Sequence, residues 1–312
     1  MRFATVNILH SIAELAELPG PIFLAIGVFD GVHLGHRAVI GHALRAAEAS
    51  GGTAVALTFD PHPAAILRPQ QAPALLTSTR HKLRLLAQLG VRHALVVTFD
   101  AGFAVTPPEE FIRQLAESAR PLRQICVGED WAFGKGRKGD LALLRRLGVA
   151  LGFDAVGLPA VTVDDTTVSS TVIRVAIEAG DLALASRMLG REFSVMGTVA
   201  EGKKLGRTLG FPTANLRPES EQLPPNGVYA VRVACGGKSL GGVANIGIRP
   251  TVSPQATEPV LEVHLFDFSG DLYGQDLEVS LLRFLRPEQK FPSLDALRNQ
   301  IAADISAARD CR

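Results

Sequence analysis

The sequence predicts an α/β protein of two domains: a mostly parallel sheet covered by helices, then a small antiparallel β-barrel closed by a helix. Three observations carry this. Apolar runs alternate with helix-patterned stretches through the first half, strand-length runs follow one another without helices from Gly197 onward, and 312 residues are more than one core ordinarily serves.

The elements follow in order. Ile22 to Phe29 is a short apolar run ending in Asp30-Gly31, followed by a helical pattern from about His36 to Ala49. Thr53 to Phe59 is the next strand, closed by Asp60-Pro61-His62-Pro63, and a helix is expected over Thr79 to Gln88 with Gly90 as its cap. Ala94 to Phe99 and Gln124 to Val127 read as two further buried strands. The helix between them opens on Pro108, with Glu109 and Glu110 at its positive end. Ligands of such sheets bind beyond the carboxyl ends of the strands, where Asp30, Asp60, Asp100 and Gly128-Glu129-Asp130 fall.

The texture changes near Met188, which sets the expected domains at 1–187 and 188–312. Gly227 to Cys235, Lys238 to Asn245, Val260 to Phe268 and Leu277 to Leu285 read as antiparallel strands, the first two joined by a turn at Gly236-Gly237. A final amphipathic helix, capped by Ser293, places Leu294, Leu297, Ile301 and Ile305 on one face.

Composition excludes several classes. An apolar fraction of 47% with 32 basic against 31 acidic side chains is not that of a disordered chain. The same balance argues against nucleic acid as a partner. Three cysteines without CxxC spacing build no disulfide framework, which fits a reducing, cytoplasmic compartment. The first 30 residues carry Glu14, Glu17 and Asp30 and no long apolar core, so no secretory leader is expected. No run approaches the ~18 apolar residues of a membrane span, so no membrane partner is expected.

Three segments of the first half can carry chemistry. Gly27-Val28-Phe29-Asp30-Gly31-Val32-His33-Leu34-Gly35-His36 lies at a strand-to-helix junction. Gly27, Gly31 and Gly35 permit positive φ and close approach of a ligand, and the helix start offers free N–H groups to phosphate. His33 and His36 can share a pocket, although a lone HxGH reads more readily as a tight turn with two surface histidines; a metal site is weaker still, since no third ligand lies nearby in sequence. The segment from Gly128 to Asp140 mixes glycines, among them Gly134, with Asp130, Trp131, Phe133 and three cations, as a loop closing over a nucleotide or flavin does; an exposed basic loop reads the same way. Ser169-Ser170-Thr171 opens a helix with Arg174 on the face of Thr171, a clamp for developing phosphate charge or an ordinary cap.

In order and spacing, these segments resemble the adenylyltransferase module of bacterial bifunctional riboflavin kinase/FAD synthetases. That resemblance implies a Rossmann-like nucleotidylyltransferase domain. The second half strengthens it: Gly210-Phe211-Pro212-Thr213-Ala214-Asn215 resembles the PTAN signature of riboflavin kinases. Asn226-Gly227-Val228-Tyr229, Ala244-Asn245-Ile246-Gly247, Arg249-Pro250-Thr251, Leu261-Glu262-Val263-His264 and Leu285-Arg286-Pro287-Glu288 follow the family in order. Trp131 stands where the family commonly has Phe, and Phe193 where Tyr is usual.

The resemblance implies two ATP-dependent steps, riboflavin to FMN and FMN to FAD, with Glu262 as the general base of the first. Alternation along an extended segment would put Thr213 and Asn215 on one side, where hard oxygen donors suit Mg²⁺. Gly202, Gly206 and Gly210 would let main-chain N–H groups approach ATP. On the expected strand, Leu261, Val263 and Leu265 form one face, and Glu262 and His264 the other. His33, His36, Ser170, Thr171 and Arg174 would stabilise the departing pyrophosphate, with Gly27, Phe29, Asp30, Gly31, Gly35, Asp130 and Gly134 around the nucleotide. His62 reads as a nucleotide neighbour or as a turn residue, and Cys126 as an inert core thiol. Two rival readings are an adenylyltransferase acting on pantetheine phosphate or nicotinate mononucleotide, and a non-catalytic flavin-sensing regulator. Self-association is not legible in the sequence.

Overall fold

The computed structural model describes residues 6–200, 210–235, 237–250 and 257–311. Gly202, Gly206, Gly236, Thr251 and most of the loop expected at 253–259 lie outside the described residues. Among those described, 6–73 with Thr79–Ser170 form one compact unit, and Ala74–Ser78 with 171–311 form a second.

The first unit is built on a six-stranded parallel sheet: β1 (Asn7–Leu9), β2 (Ile22–Ile26), β3 (Thr53–Asp60), β4 (His93–Thr98), β5 (Leu122–Gly128) and β6 (Asp154–Leu158), in the order β1-β4-β3-β2-β5-β6. All five residues of β2 are buried, as expected of a central strand covered on both faces. Ile22, Leu24 and Ile26 face α5 (Pro108–Ser118) and α6 (Leu141–Leu151) through Phe111, Ile112, Leu115 and Leu144. Phe23 and Ala25 face α1 (Leu34–Ala49) and α3 (Thr79–Gln88) through Val39, Ile40, Ala43, Leu85 and Leu86. Short helices α2 (Pro63–Leu67) and α4 (Ala101–Ala104) follow β3 and β4, and a two-stranded antiparallel ribbon of β7 (Thr162–Val163) and β8 (Thr166–Thr167) follows β6. The chain leaves β2 for β3 on one side and pairs it with β5 on the other. This switch point puts the loops after β2 and β5 on either side of one crevice.

The second unit contains α7 (Ser170–Glu178, from its second residue) and α8 (Leu182–Leu189). It also holds β9 (Ser194–Ala200), β10 (Ala214–Pro218), β11 (Gly227–Cys235), β12 (Lys238–Pro250), β13 (Thr257–Leu265), β14 (Asp276–Arg286) and α9 (Leu294–Arg309). The strands close as β10-β13-β12-β11-β14-β9. Helix α8 is capped by Asp181, whose carboxylate accepts from Leu184 N, and ends on Gly190 at φ 67°, where the left-handed region favours glycine.

Several boundaries move, each for a local reason. Strand β2 stops at Ile26 because Phe29 takes a left-handed φ of 54°. Helix α1 starts at Leu34 because His33, expected outside it, is its N-cap. Edge strands β1 and β6 were not expected from sequence; three residues and a glycine-interrupted run carry little apolar signal. On α9 the expected apolar face is displaced: Leu294 is 63% exposed, whereas Asp304 and Ala308 are buried. The helix docks through its second half, where the Asp304 carboxylate accepts both Nε and Nη2 of Arg286 on β14.

Candidate functional site

The first unit holds a cavity of about 980 Å³ beyond the carboxyl ends of its strands, lined by residues of the loops after β2, β3, β4 and β5. Gly27, Phe29, His33, Gly35, His36, Asp130 and Gly134 line it. The His33 and His36 rings stack with centroids 3.5 Å apart, and His33 Nδ1 accepts from His36 N at 3.4 Å, capping α1. Capping therefore orients one ring and stacking the other.

The glycines of this turn act differently from the expectation. Of Gly27, Gly31 and Gly35, only Gly31 has a positive φ, 78°; Phe29 and Val32 take the other left-handed positions. A Cβ on Gly27 would lie 2.6 Å from the Phe29 ring, and one on Gly35 3.2 Å from the His33 ring. These two glycines make room for the protein's own rings. Asp30 and Gly31 are buried and are not among the cavity-lining residues. Ser170 Oγ donates to the Asp30 carbonyl at 3.0 Å, tying the start of α7 to the turn.

The loop after β5 is pinned at its base, where Phe133 and Gly139 exchange backbone hydrogen bonds of 2.9 Å. Gly134 at φ 70° lies against Pro108, where a Cβ would come within 2.6 Å. Lys135, Arg137 and Lys138 are exposed at the tip, and Arg137 lines the cavity. Trp131 stacks on Phe133 at 4.3 Å, and Phe59, Phe99, Phe103 and Phe111 continue the aromatic wall at centroid distances of 5.5–6.5 Å. His62 Nδ1 accepts from Ala64 N to cap α2, as a turn residue does, and the residue lines the cavity. Thr171 and Arg174 belong to the second compact unit, where Arg174 Nε donates to the Ala74 carbonyl at 2.6 Å. The Cys126 thiol is buried, which pushes its pKa up to about 12 and makes it a poor nucleophile.

In the second unit the register brings polar groups together. Asn215 pairs with Glu262, and Glu262 with Asn245, so three polar side chains share the surface opposite the buried Leu261 and Val263. Strand β10 begins at Ala214, so the pleat sets the side of Asn215 but not of Thr213. The preceding residue is held by the barrel, where His264 Nδ1 donates to the Pro212 carbonyl at 2.9 Å. Asn245 Nδ2 donates to Glu288 Oε1 at 2.9 Å, and a Cβ on Gly247 would lie 2.6 Å from that oxygen. Gly210 sits in a turn at φ 88°. Among the described residues no group of three or more His, Cys, Asp or Glu could hold a metal. The hydroxyl of Thr213 and the amide oxygen of Asn215 are hard donors that fit a small divalent cation also bound by nucleotide phosphates.

A nucleotide-sized cavity at the switch point of a parallel sheet in one unit, and a closed barrel carrying hard-oxygen donors in the other, are features of an enzyme that handles nucleotides. Comparison with known proteins agrees. Family models match for FAD synthetase over residues 16–172 and for riboflavin kinase over residues 189–312. The bifunctional riboflavin kinase/FMN adenylyltransferase of Escherichia coli K12 is 41% identical over 307 residues, covering 98% of this chain and 97% of that protein. Its counterpart from Bacillus subtilis 168 is 37% identical over 308 residues, covering 97% and 96%. A solved structure described as a macrolide-efflux protein from Streptococcus pneumoniae has a TM-score of 0.80 at 28% identity, covering 97% of this chain and 98% of that one. Among the described residues of this chain, no helix is long and apolar enough to cross a membrane.

The chain belongs to the bifunctional riboflavin kinase/FMN adenylyltransferase family, and it both phosphorylates riboflavin and adenylylates FMN. Enzymes of these two families use ATP with a divalent metal.

Sequence reading gave no role to Asn245 and Glu288, which are hydrogen-bonded to each other, with Asn245 paired across the strands to Glu262. Both lie in motifs of the family, Ala244-Asn245-Ile246-Gly247 and Leu285-Arg286-Pro287-Glu288.

Proposed function

We propose that the two half-reactions occupy the two polar constellations described above, adenylylation at the first-unit cavity and phosphorylation at the Asn215–Glu262 surface, with a functional division at 187/188. The observation that carries this is the juxtaposition of Asn215 and Glu262 on one surface of the barrel unit, while the stacked histidines line a cavity of the other unit. The family regions, ending at 172 and resuming at 189, support the division.

In the kinase step the riboflavin 5′-hydroxyl attacks the γ-phosphorus of ATP. A new O–P bond forms, the bond to the β-phosphate oxygen breaks, and Glu262 takes the hydroxyl proton. Thr213 and Asn215 would hold Mg²⁺, whose charge offsets that of the phosphates. Gly202, Gly206 and Gly210 would bring main-chain N–H groups to the nucleotide.

In the second step an FMN phosphate oxygen attacks the α-phosphorus of ATP and pyrophosphate leaves. The nucleophile is already anionic, so no protein base is required. His33, His36 and Ser170 stabilise the departing charge, while Gly27, Phe29, Gly35, Asp130 and Gly134 line the nucleotide site and the buried Asp30 and Gly31 form the turn behind it. The aromatic wall accepts planar rings. Riboflavin, FMN, ATP and FAD are the ligands of the chain, in the cytoplasm.

A time course separating riboflavin, FMN and FAD tests the assignment. Glu262→Gln is expected to stop FMN formation while FMN-to-FAD conversion continues. Loss of both activities in a folded variant would remove the separate-site reading.

A further inference from the structure

Lys82 lies in the middle of α3 with 4% of its surface exposed, among the apolar residues that cover the sheet. A buried ammonium is unfavourable unless it is paired and hydrogen-bonded, and a Met or Leu would fill the same space. Its Nζ donates to Thr58 Oγ1 at 3.2 Å, and Thr58 is itself fully buried in β3. The Thr58 hydroxyl donates onward to the Val28 carbonyl at 2.8 Å. The direction of the relay is fixed, because an ammonium only donates, a carbonyl only accepts, and one hydroxyl does both.

Val28 enters the turn that carries Phe29 at φ 54° and Val32 at φ 42°. Non-glycine residues, a β-branched valine above all, persist there only when the surroundings hold them. Phe29 packs edge-on against the His36 ring at 5.3 Å, so the entry to the turn is linked to the histidine pair. Burial lowers the pKa of Lys82, and the negative charges of Asp30 and Asp60 oppose that shift. The Lys82 amine is thus within electrostatic reach of the buried Asp30 of the turn.

We propose that Lys82 is a positioning residue of the adenylylation site, holding through Thr58 the strained turn that presents Phe29, His33 and His36 to the cavity. The proposal rests on adenylylation occurring in this cavity. It predicts an effect on turnover with little effect on ground-state binding, because a small misplacement of charge-stabilising groups costs the transition state most.

The test uses the full chain, whose riboflavin kinase activity reports folding in the same tube. Lys82→Met and Thr58→Val are each expected to lower kcat for FMN-to-FAD conversion by about 10- to 100-fold, with KM for FMN and ATP moving less than about threefold. Thr58→Ser, which keeps the hydroxyl, is expected to retain most of the rate. The double variant is expected to be no slower than the slower single, because both act on one relay. Single-variant rates within about twofold of the parent, losses confined to KM, or losses that multiply in the double variant would each overturn the proposal. If Lys82→Met also loses kinase activity, Thr58→Val against Thr58→Ser decides the question alone: equal rates overturn it. His33→Ala separates the underlying reading, since undiminished FAD formation there would mean that adenylylation takes place elsewhere.

Discussion

Asn215 and Glu262 are direct partners across the antiparallel β10–β13 pair, so an amide and a carboxylate leave the barrel on the same side. Directly opposed side chains in such a pair lie about 5 Å apart at Cβ. Register thus brings an amide and a carboxylate onto one face from positions far apart in the chain. Asn215→Ala is expected to slow FMN formation at least about tenfold and to raise the magnesium concentration needed for half-maximal rate, without changing FMN-to-FAD conversion. A magnesium titration of both activities checks this.

The hydrogen bond from Asn245 to Glu288 depends on the missing side chain at Gly247. Gly247→Ala is expected to push the Glu288 carboxylate aside, at small cost to stability because the displaced group is the end of a flexible side chain. Loss of one hydrogen bond of about 1 kcal/mol would slow the kinase step roughly fivefold. Steady-state rates and a thermal melt, measured together, separate the two effects.

His33 is held by its capping bond to His36 N and by stacking on the His36 ring. His33→Ala is expected to lower kcat for FAD formation by about 100- to 1,000-fold, the usual cost of one donor to a developing anion. Riboflavin phosphorylation is expected to stay at the parental rate. Parallel assays of the two reactions give the answer directly.

Trp131 is the single tryptophan of the chain, and it lines the cavity stacked on Phe133. Its fluorescence is expected to be quenched by FMN, with a concentration dependence that matches the KM of adenylylation. Quenching is expected to survive Glu262→Gln. A titration with FMN in the absence of ATP provides the measurement.

Tyr229 is fully buried in β11, its hydroxyl donates to the Pro225 carbonyl, and burial pushes its pKa from 10.0 to about 12. The raised native value sets the sign. The contribution of Tyr229 to stability is complete below pH 10.0 and declines as the pH rises towards about 12, because the unfolded chain releases the proton first. Tyr229→Phe is expected to cost about 1 kcal/mol at neutral pH and to flatten the alkaline decline. Urea unfolding across the alkaline range measures both.

Much of the fold was legible because its signals are local. The helix expected over Thr79–Gln88, the strand expected over Gly227–Cys235 and the Ser293 cap are found where periodicity, alternation and capping chemistry put them. Strands β1 and β6 were not legible, because an edge strand buries little and so carries little apolar signal. The exposed Leu294 has a related cause: periodicity marks a face, and docking decides how much of it is covered.

The candidate site divides along the same line. Sequence alone determined the residue types and their order: the HxGH turn at a strand end, the PTAN edge, and Glu262 on the side of its strand opposite Leu261 and Val263. Tertiary structure decided what they meet. Lys82 reaches Thr58 across 24 residues and Asn245 reaches Glu288 across 43. Gly27 and Gly35 make room for rings of the same turn. Alternation and capping act over a few residues and are written in the chain, whereas register, close approach and burial of a charge exist only after distant segments have packed.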